Sequence, residues 1–464
     1  MPQDNTTITA VKAAKNPFKA STISELLIKF SAPAIAGMFV NAFYNIVSRI
    51  YIGNEVGALG IAGISINFPL GIIFMAFSVL IGVGANALFS IRLGEKREDQ
   101  AELILGNAFS ALVLFSAVLA VLCITFLEPI LTFFGATPEI IPYARQYAVS
   151  TMPGYFFFGI SLGMNNFIRS SGKPKTAMAT QFIGALINII FAPLFIFKFK
   201  LGMTGAGMAV TFGQIVSFVW IMIFFLSKRA QYRLRLKNLS MQFNIIKESM
   251  LVGIAQFFFQ VSSGLINIIL NHALVKYGGN LAISAMGIVI AVNTIFVMPI
   301  IGISQGAQPL IGYNHGARKY KTSIQTLKMA IRWGLGMAMV GLLIMQIFAR
   351  PIVSIFNSSD PALIDMATYA LRIFNIVMPC VVLPILATSF FQAINNPLTA
   401  AILSLSRQIL LLIPMVLILP LFFGLNGVFF APPVADLLSA IFAVYLLKKH
   451  FAKHKQNFFF KSKK

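Results

Sequence analysis

The chain has 464 residues, of which 58% are hydrophobic and 11% charged, and its mean hydropathy is +0.84. So little polar surface excludes a water-soluble domain and places the chain in a bilayer. The formal charge of +23 would suit a nucleic-acid partner, yet the cations sit in short clusters between long apolar runs, which excludes a nucleic-acid-binding face and fits a membrane protein.

In chain order, residues 1–26 form a polar, basic arm, expected to be cytoplasmic and not a cleaved signal. Within it Thr22 and Glu25 have the spacing of a capping box and predict a short interfacial helix. Apolar runs near the ~20 residues that span hydrocarbon follow at 27–52, 59–88, 104–127, 145–168, 175–197 and 201–227. These six predict an N-terminal bundle over 27–227, and residues 228–248 a cytoplasmic linker. A second bundle over 249–447 has runs at 249–273, 282–312, 333–349, 367–392, 398–421 and 424–447, and a basic cytoplasmic tail covers 448–464.

The two halves repeat each other at an offset of 222 residues. Gly84, Ala85, Leu88 and Gly94 fall on Gly306, Ala307, Leu310 and Gly316, while Gly202, Gly205, Ala209 and Ser217 fall on Gly424, Gly427, Ala431 and Ser439. The expected fold is an all-α integral membrane protein of 12 transmembrane helices in two six-helix bundles. With an even number of spans per copy the copies are parallel repeats, an architecture common among secondary transporters. Clusters at Arg92, Lys96 and Arg97, at Arg169, Lys173 and Lys175, at Arg233 and Arg235, and at Arg318, Lys319 and Lys321 then share one side of the membrane. The positive-inside rule makes that side the cytoplasm, for both termini and the linker.

Several chemistries are missing. The string nearest to a phosphate-cradling GxxxxGK-Ser/Thr loop, Ser171-Gly172-Lys173-Pro174, lacks the first glycine and the hydroxyl. The four histidines have no acid or cysteine at a metal-ligand spacing, and Cys123 and Cys380 read as small buried hydrophobes. The expectation is therefore a protein that is not an enzyme, with no metal and no cofactor beyond H⁺ or Na⁺ as a coupling ion.

Polar residues in hydrocarbon mark cavities, ion sites or helix contacts. Gly37, Asn41, Asn45 and Ser48 lie on one face of the first span, and Gln256, Gln260, Ser263 and Asn267 on one face of the seventh. Both stripes are expected to line a central substrate cavity, the competing reading being amide packing between helices. Of thirteen acidic residues only Asp436 falls clearly within the bilayer. Pro432 and Pro433 just before it free the carbonyls of Val428 and Phe429. Arg407 lies at nearly the same depth on the adjacent antiparallel helix, which predicts an ion pair. Such a pair is either a static lock between helices or a switch opened by a proton or cation. At the 222-residue offset the N-terminal counterparts are Gln214 for Asp436 and Ala185 for Arg407.

Phe30-Ser31-Ala32-Pro33 with Tyr44-Asn45-Ile46-Val47, the stretch from Gly82 to Gly94, Phe167-Ile168-Arg169 with Gly172-Lys173-Pro174, and Gln305-Gly306-Ala307-Gln308-Pro309 carry a family likeness. Over residues 20–450 the chain resembles the multidrug and toxic compound extrusion (MATE) transporters, most of all the bacterial DinF and MepA-like branch. The resemblance implies two bundles in a V and an antiporter of the inner (plasma) membrane. It would export organic cations, drugs or metabolites against H⁺ or Na⁺, with a small-molecule substrate, the lipid bilayer as surroundings and a monomeric chain. It also implies an N-lobe ion site with two aspartates, but Ser48 and Ala192 occupy those positions, leaving the neutral Asn166, Asn188 and Thr211. The ion-coupling candidates are these three together with Asp436 and Arg407. A lipid or lipid-linked oligosaccharide flippase of the same superfamily is the alternative.

Overall fold

The computed structural model describes residues 22–56, 58–136, 138–227, 230–356 and 361–453; among these, the side chains of 41–50, 53, 54, 58, 59, 61, 62, 268, 280 and 453 lie outside the description. Most of the expected N-terminal arm and of the basic tail therefore lies outside the described residues.

The first half supplies α1 (Ile23–Glu55), α2 (Ala58–Gly94), α3 (Glu98–Thr125), the short α4 (Leu127–Phe133), α5 (Ile141–Ser170) and α6 (Pro174–Pro193). A π-helical turn, Leu194–Lys198, extends α6, and α7 (Gly202–Leu226) closes the half. The second half opens with α8 (Phe243–Gly279) and α9 (Leu281–Gly316), continuous but for a break at Gly279. Then come α10 (Tyr320–Ile347), the short α11 (Ala349–Phe356), α12 (Pro361–Phe374), α13 (Met378–Ala393) and α14 (Pro397–Leu405), which runs into a π-helical stretch, Ser406–Leu412. The final helix, Ile413–Lys453, breaks at Gly424, and its second part, 425–453, is α15. Nine described helices are long and apolar enough to cross a membrane. The more polar α5, the α12 and α13 pair bent by 51°, and the division of the last helix at Gly424 complete twelve spans in two bundles.

The capping box forms as expected: the Glu25 N–H donates to Thr22 Oγ1 and the Thr22 N–H to Glu25 Oε2, each at 3.3 Å. It begins the first span directly, with no separate interfacial helix, because no glycine or proline interrupts residues 23–32. The duplication also reaches the backbone. Gly202 (φ +50°) and Gly424 (φ +56°), one offset apart, both reverse the chain in the left-handed region that a Cβ disfavours. Lys96 (φ +63°) and Arg318 (φ +58°) form a second equivalent pair at the turns after α2 and α9.

The bundles meet along a seam of glycines at the end of the molecule that carries the linker. A Cβ on Gly84 would run into the carbonyl of Ser249, and one on Gly253 into that of Leu80, so α2 and α8 cross backbone to backbone. Gly94 abuts Tyr313 and Gly316 abuts Ile91 in the same way, bringing α2 against α9. Towards the other end Gly264 of α8 and Gly287 of α9 have nothing within 4 Å of a built Cβ. Leu26, Leu27 and Phe30 of α1 are buried in the apolar core of the second bundle, with Leu310 and Phe391. The linker is tied down. Buried Glu102 on α3 accepts from the Arg233 N–H at 3.3 Å and pairs with Arg235 at 3.1 Å, while Ser110 donates to the Leu239 carbonyl at 2.7 Å.

Candidate functional site

In the N-terminal bundle α5, α6 and α7 enclose a chamber of about 570 Å³, counting its open mouth. Each helix contributes polar residues at helical spacing: Ser161 and Asn165 from α5, Gln181 and Asn188 from α6, with Ala185 between them, and Gln214 and Ser217 from α7. Thr180 and Phe158 add to the wall, and no acidic residue is among its described lining residues. Asn165 donates to the Ala177 carbonyl at 2.8 Å, and Ser217 to Gly213 at 2.9 Å and Thr180 at 3.3 Å, so part of the polar wall is fixed by its own bundle. The Ser161 hydroxyl, by contrast, is buried without a hydrogen-bond partner. Gln181 lies against Gly37, where any Cβ would overlap its amide, so glycine lets α1 close over the chamber.

Arg169, buried at the linker end of α5, joins this chamber to the other bundle. Its Nη1 donates to Gln305 of α9 at 2.9 Å and its Nη2 to Asn165 at 3.5 Å. Sequence reasoning counted Arg169 among the cytoplasmic cations and in the Phe167-Ile168-Arg169 segment of the family likeness. Its packing between halves is not visible without the seam.

Of the neutral ion-site candidates, Asn188 lines the chamber and is buried. Thr211 instead donates to the Ser150 carbonyl at 2.6 Å, and Asn166 to Leu162 at 3.5 Å within its own helix. Neither is in the chamber lining, so the three do not converge. Ala192 is buried in an apolar cluster with Ile52 and Met203. The side chains of Asn41, Asn45 and Ser48 lie outside the described residues. The chamber residues that sequence reasoning missed are Asn165, Gln181, Thr180, Ser161 and Ser217. Their signal was three polar stripes on consecutive helices.

In the C-terminal bundle Arg407 Nε donates to Asp436 Oδ1 at 2.7 Å, with side-chain exposures of 22% and 11%. Arg407 belongs to the π-helical stretch Ser406–Leu412, whose widened turn precedes Pro414, a residue without an N–H to offer. In the same bundle Ser263 accepts from Gln408 at 3.5 Å, and Gln392 accepts from Gln256 and Gln308, each at 3.5 Å. The stripe on α8 therefore divides: Gln256 and Ser263 find partners within their own bundle, Gln260 is half-buried, and Asn267 is exposed and donates to the Ser263 carbonyl at 2.8 Å. Among the described residues no three His, Cys, Asp or Glu side chains are grouped to hold a metal.

Two parallel six-helix bundles, joined at one end and lined by polar groups in their interiors, form the architecture of a membrane transporter. The MatE family model matches residues 33–194 and 252–418, one match in each half, and the chain belongs to that family. It is similar to the multidrug export protein MepA of Staphylococcus haemolyticus, 26% identical over 430 residues that cover 93% of this chain and 94% of that protein. Among solved structures, a chain described as protein A is 34% identical with a TM-score of 0.89, covering 96% of this chain and 99% of its own. An outward-facing multidrug resistance MATE family transporter of the MOP superfamily has a TM-score of 0.88 at 20% identity, covering 94% of this chain and 97% of its own.

Proposed function

We propose that the protein is a secondary active exporter of the plasma membrane. It is an antiporter that moves drug-like or metabolite molecules outward against H⁺ or Na⁺, as a monomer, with its ion coupling carried by the C-terminal bundle. The observation that carries this reading is the placement of buried charge. Among the described residues no carboxylate lines the N-terminal chamber, whereas Asp436 is buried and paired with Arg407. A proton or Na⁺ arriving at Asp436 competes with Arg407 for the same oxygen, and release of Arg407 unpins α14 from α15. That converts an ion-binding event into a change of packing between two helices. The family name of its relatives supports the export direction. The basic clusters, read by the positive-inside rule, put the linker end and both termini in the cytoplasm. On that orientation the glycine seam closes the cytoplasmic side and the bundles part outward.

The test is dye efflux from proteoliposomes with H⁺ and Na⁺ gradients imposed separately, for the intact chain, Asp436→Asn, and the charge-free pair Arg407→Gln with Asp436→Asn. One gradient accelerates efflux by the intact chain and neither accelerates the variants. Equal gradient-driven efflux in all three removes Asp436 from the coupling step.

A further inference from the structure

In the duplication α3 and α10 match at both ends. Each has 28 residues, and their C-caps, Phe126 and Phe348, stand one offset apart. Before them the left-handed Lys96 and Arg318 stand one offset apart too, so the register holds along the pair. In the N-terminal half the linker is seated on one face of α3. Glu102 pairs with Arg235, a Cβ on Gly106 would run into the Asn238 carbonyl, Asn107 donates to that carbonyl at 3.4 Å, and Ser110 donates to the Leu239 carbonyl at 2.7 Å. On α10 the same four positions hold Ile324, Lys328, Met329 and Arg332. The acid, the bare backbone, the amide and the small hydroxyl that seat the linker are all replaced. The stretch one offset after it, 457–464, lies outside the described residues, has no acidic residue, and carries Lys461, Lys463 and Lys464. Its charge has the sign of Lys328 and Arg332, which opposes seating it there. The chain also leaves the bundle elsewhere, because α15 stays helical to Lys453, beyond Lys448, the counterpart of the last residue of α7, Leu226.

Lys328 is half-buried, Arg332 is exposed, and the Arg332 charge is close enough to act on Lys328. Four residues apart on a helix, their Cβ atoms stand about 5–6 Å from each other, a span that one phosphate group bridges. α10 itself has no acidic residue. Along the same side Gly336, Met339 and Leu343 follow Arg332 at helical spacing. Gly336 has nothing within 4 Å of a built Cβ, and Met339 and Leu343 are 46% and 53% exposed. The two cations thus head an open apolar track that runs from the linker end of α10 towards the middle of the span. We propose that this face of α10 binds an anionic glycerophospholipid, its phosphodiester held between Lys328 and Arg332 and an acyl chain lying along Gly336, Met339 and Leu343. The linker occupies the equivalent place in the N-terminal half, and lipid occupies it in the C-terminal half. A zwitterionic lipid brings its own ammonium to the phosphate and gains less from two fixed cations. A free phosphate gains the charge and forfeits the apolar track. The site stands apart from the export reading and from the choice of coupling ion.

The experiment is native mass spectrometry of the full chain, offered phosphatidylglycerol and phosphatidylcholine with identical acyl chains in equal amounts. The first lipid retained is expected to favour phosphatidylglycerol about tenfold or more, from two cations beside one phosphate. Lys328→Gln with Arg332→Gln removes most of that preference, and Lys328→Arg keeps it. Lys173→Gln with Lys175→Gln, which takes the same charge from two exposed lysines of the other bundle, leaves it unchanged. Gly336→Phe, which fills the track and keeps both cations, weakens retention of phosphatidylglycerol. Glycerol phosphate in large excess does not displace the lipid. Equal loss of preference in the two double glutamine variants overturns the proposal, as does a preference that survives Lys328→Gln with Arg332→Gln. Displacement by glycerol phosphate, or retention indifferent to Gly336→Phe, overturns the lipid as occupant. With Cys123 and Cys380 replaced, Met329→Cys and Phe460→Cys stand where Asn107 and Asn238 meet in the other half. They are expected to form no disulfide, and a disulfide between them seats the tail on α10 and overturns the proposal.

Discussion

Gly253→Ala tests whether the glycine seam holds the bundles together at the linker end. The added methyl would overlap the Leu80 carbonyl oxygen, with the carbonyl carbon 2.6 Å away and Leu80 Cα 3.0 Å away. All three are backbone atoms of α2, so no side chain can swing aside and the helices must separate or shift. Overpacking of this kind costs about 1–3 kcal/mol. Because the overlap exists only while the seam is closed, about 2 kcal/mol shifts the closed-to-open ratio roughly 30-fold. The gain in helix propensity from Gly to Ala, about 1 kcal/mol, acts in both conformations and cancels. With Cys123 and Cys380 replaced, spin labels at the exposed Arg97 and Lys319, one on each bundle, report the seam by pulsed distance measurement. Gly253→Ala is expected to move population from the short distance to longer ones. Gly264→Ala, on the same helix with nothing within 4 Å of its added methyl, is the matched control and leaves the distribution unchanged. Identical distributions for the two variants would refute the packing argument.

Three further outcomes follow from named contacts. Asp436→Asn leaves Arg407 without its counter-ion and costs about 2–4 kcal/mol, the usual 3–5 reduced for Arg407's partial exposure; Arg407→Met combined with Asp436→Leu costs less, and thermal unfolding that ranks the double variant worse than Asp436→Asn contradicts this. Tyr232, in the linker, has its hydroxyl pushed well above the ordinary tyrosine value of 10.0 by burial first and by the Glu98 charge second. Its contribution is therefore complete below about pH 10, where unfolded tyrosine ionises, and is lost as pH rises further. Tyr232→Phe flattens the fall of unfolding temperature above that pH, and an unchanged profile rules the residue out. Thr22→Ala removes the cap on α1 at about 1 kcal/mol, which hydrogen exchange reads as faster opening of the amides at Ile23 to Glu25, with residues beyond Phe30 unaffected.

Much of the fold was legible because hydropathy and duplication are one-dimensional signals. Counting residues from a turn was enough to bring Arg407 and Asp436 to the same depth, since rise per residue in a helix is fixed. What counting does not carry is rotation. Asn165 and Asn166 are neighbours in sequence, yet about 100° apart around α5, and only Asn165 enters the chamber wall. Thr211 is likewise near Gln214 in sequence but spends its hydroxyl on Ser150 of the neighbouring helix. The resemblance to a family site selected residues by identity, and their helical phase decided otherwise. The seam was hidden for a different reason: Gly84, Gly94, Gly253 and Gly316 look like ordinary membrane glycines until the opposing carbonyls are placed.

The duplication gives each half a reference for the other, and the comparison argues for a division of labour. A cavity and an ion pair cannot occupy one site at once, because the arginine that neutralises the carboxylate also fills the space. An ancestral single unit would have had to choose between holding an ion and holding a substrate. With two copies each half can specialise: Arg407 and Asp436 keep charge in the C-terminal bundle, and Ala185 and Gln214 keep room and neutrality in the N-terminal one. Events in the two halves then communicate only through what joins them. Among the described contacts those joints include the glycine seam, the Arg169 hydrogen bond to Gln305, the Phe77–Phe257 ring contact and the burial of Leu26, Leu27 and Phe30 in the second bundle's core. A double variant that places a charged pair in the N-terminal chamber, Ala185→Arg with Gln214→Asp, should therefore leave the seam distances unchanged while filling the chamber, separating occupancy of the site from the state of the bundles.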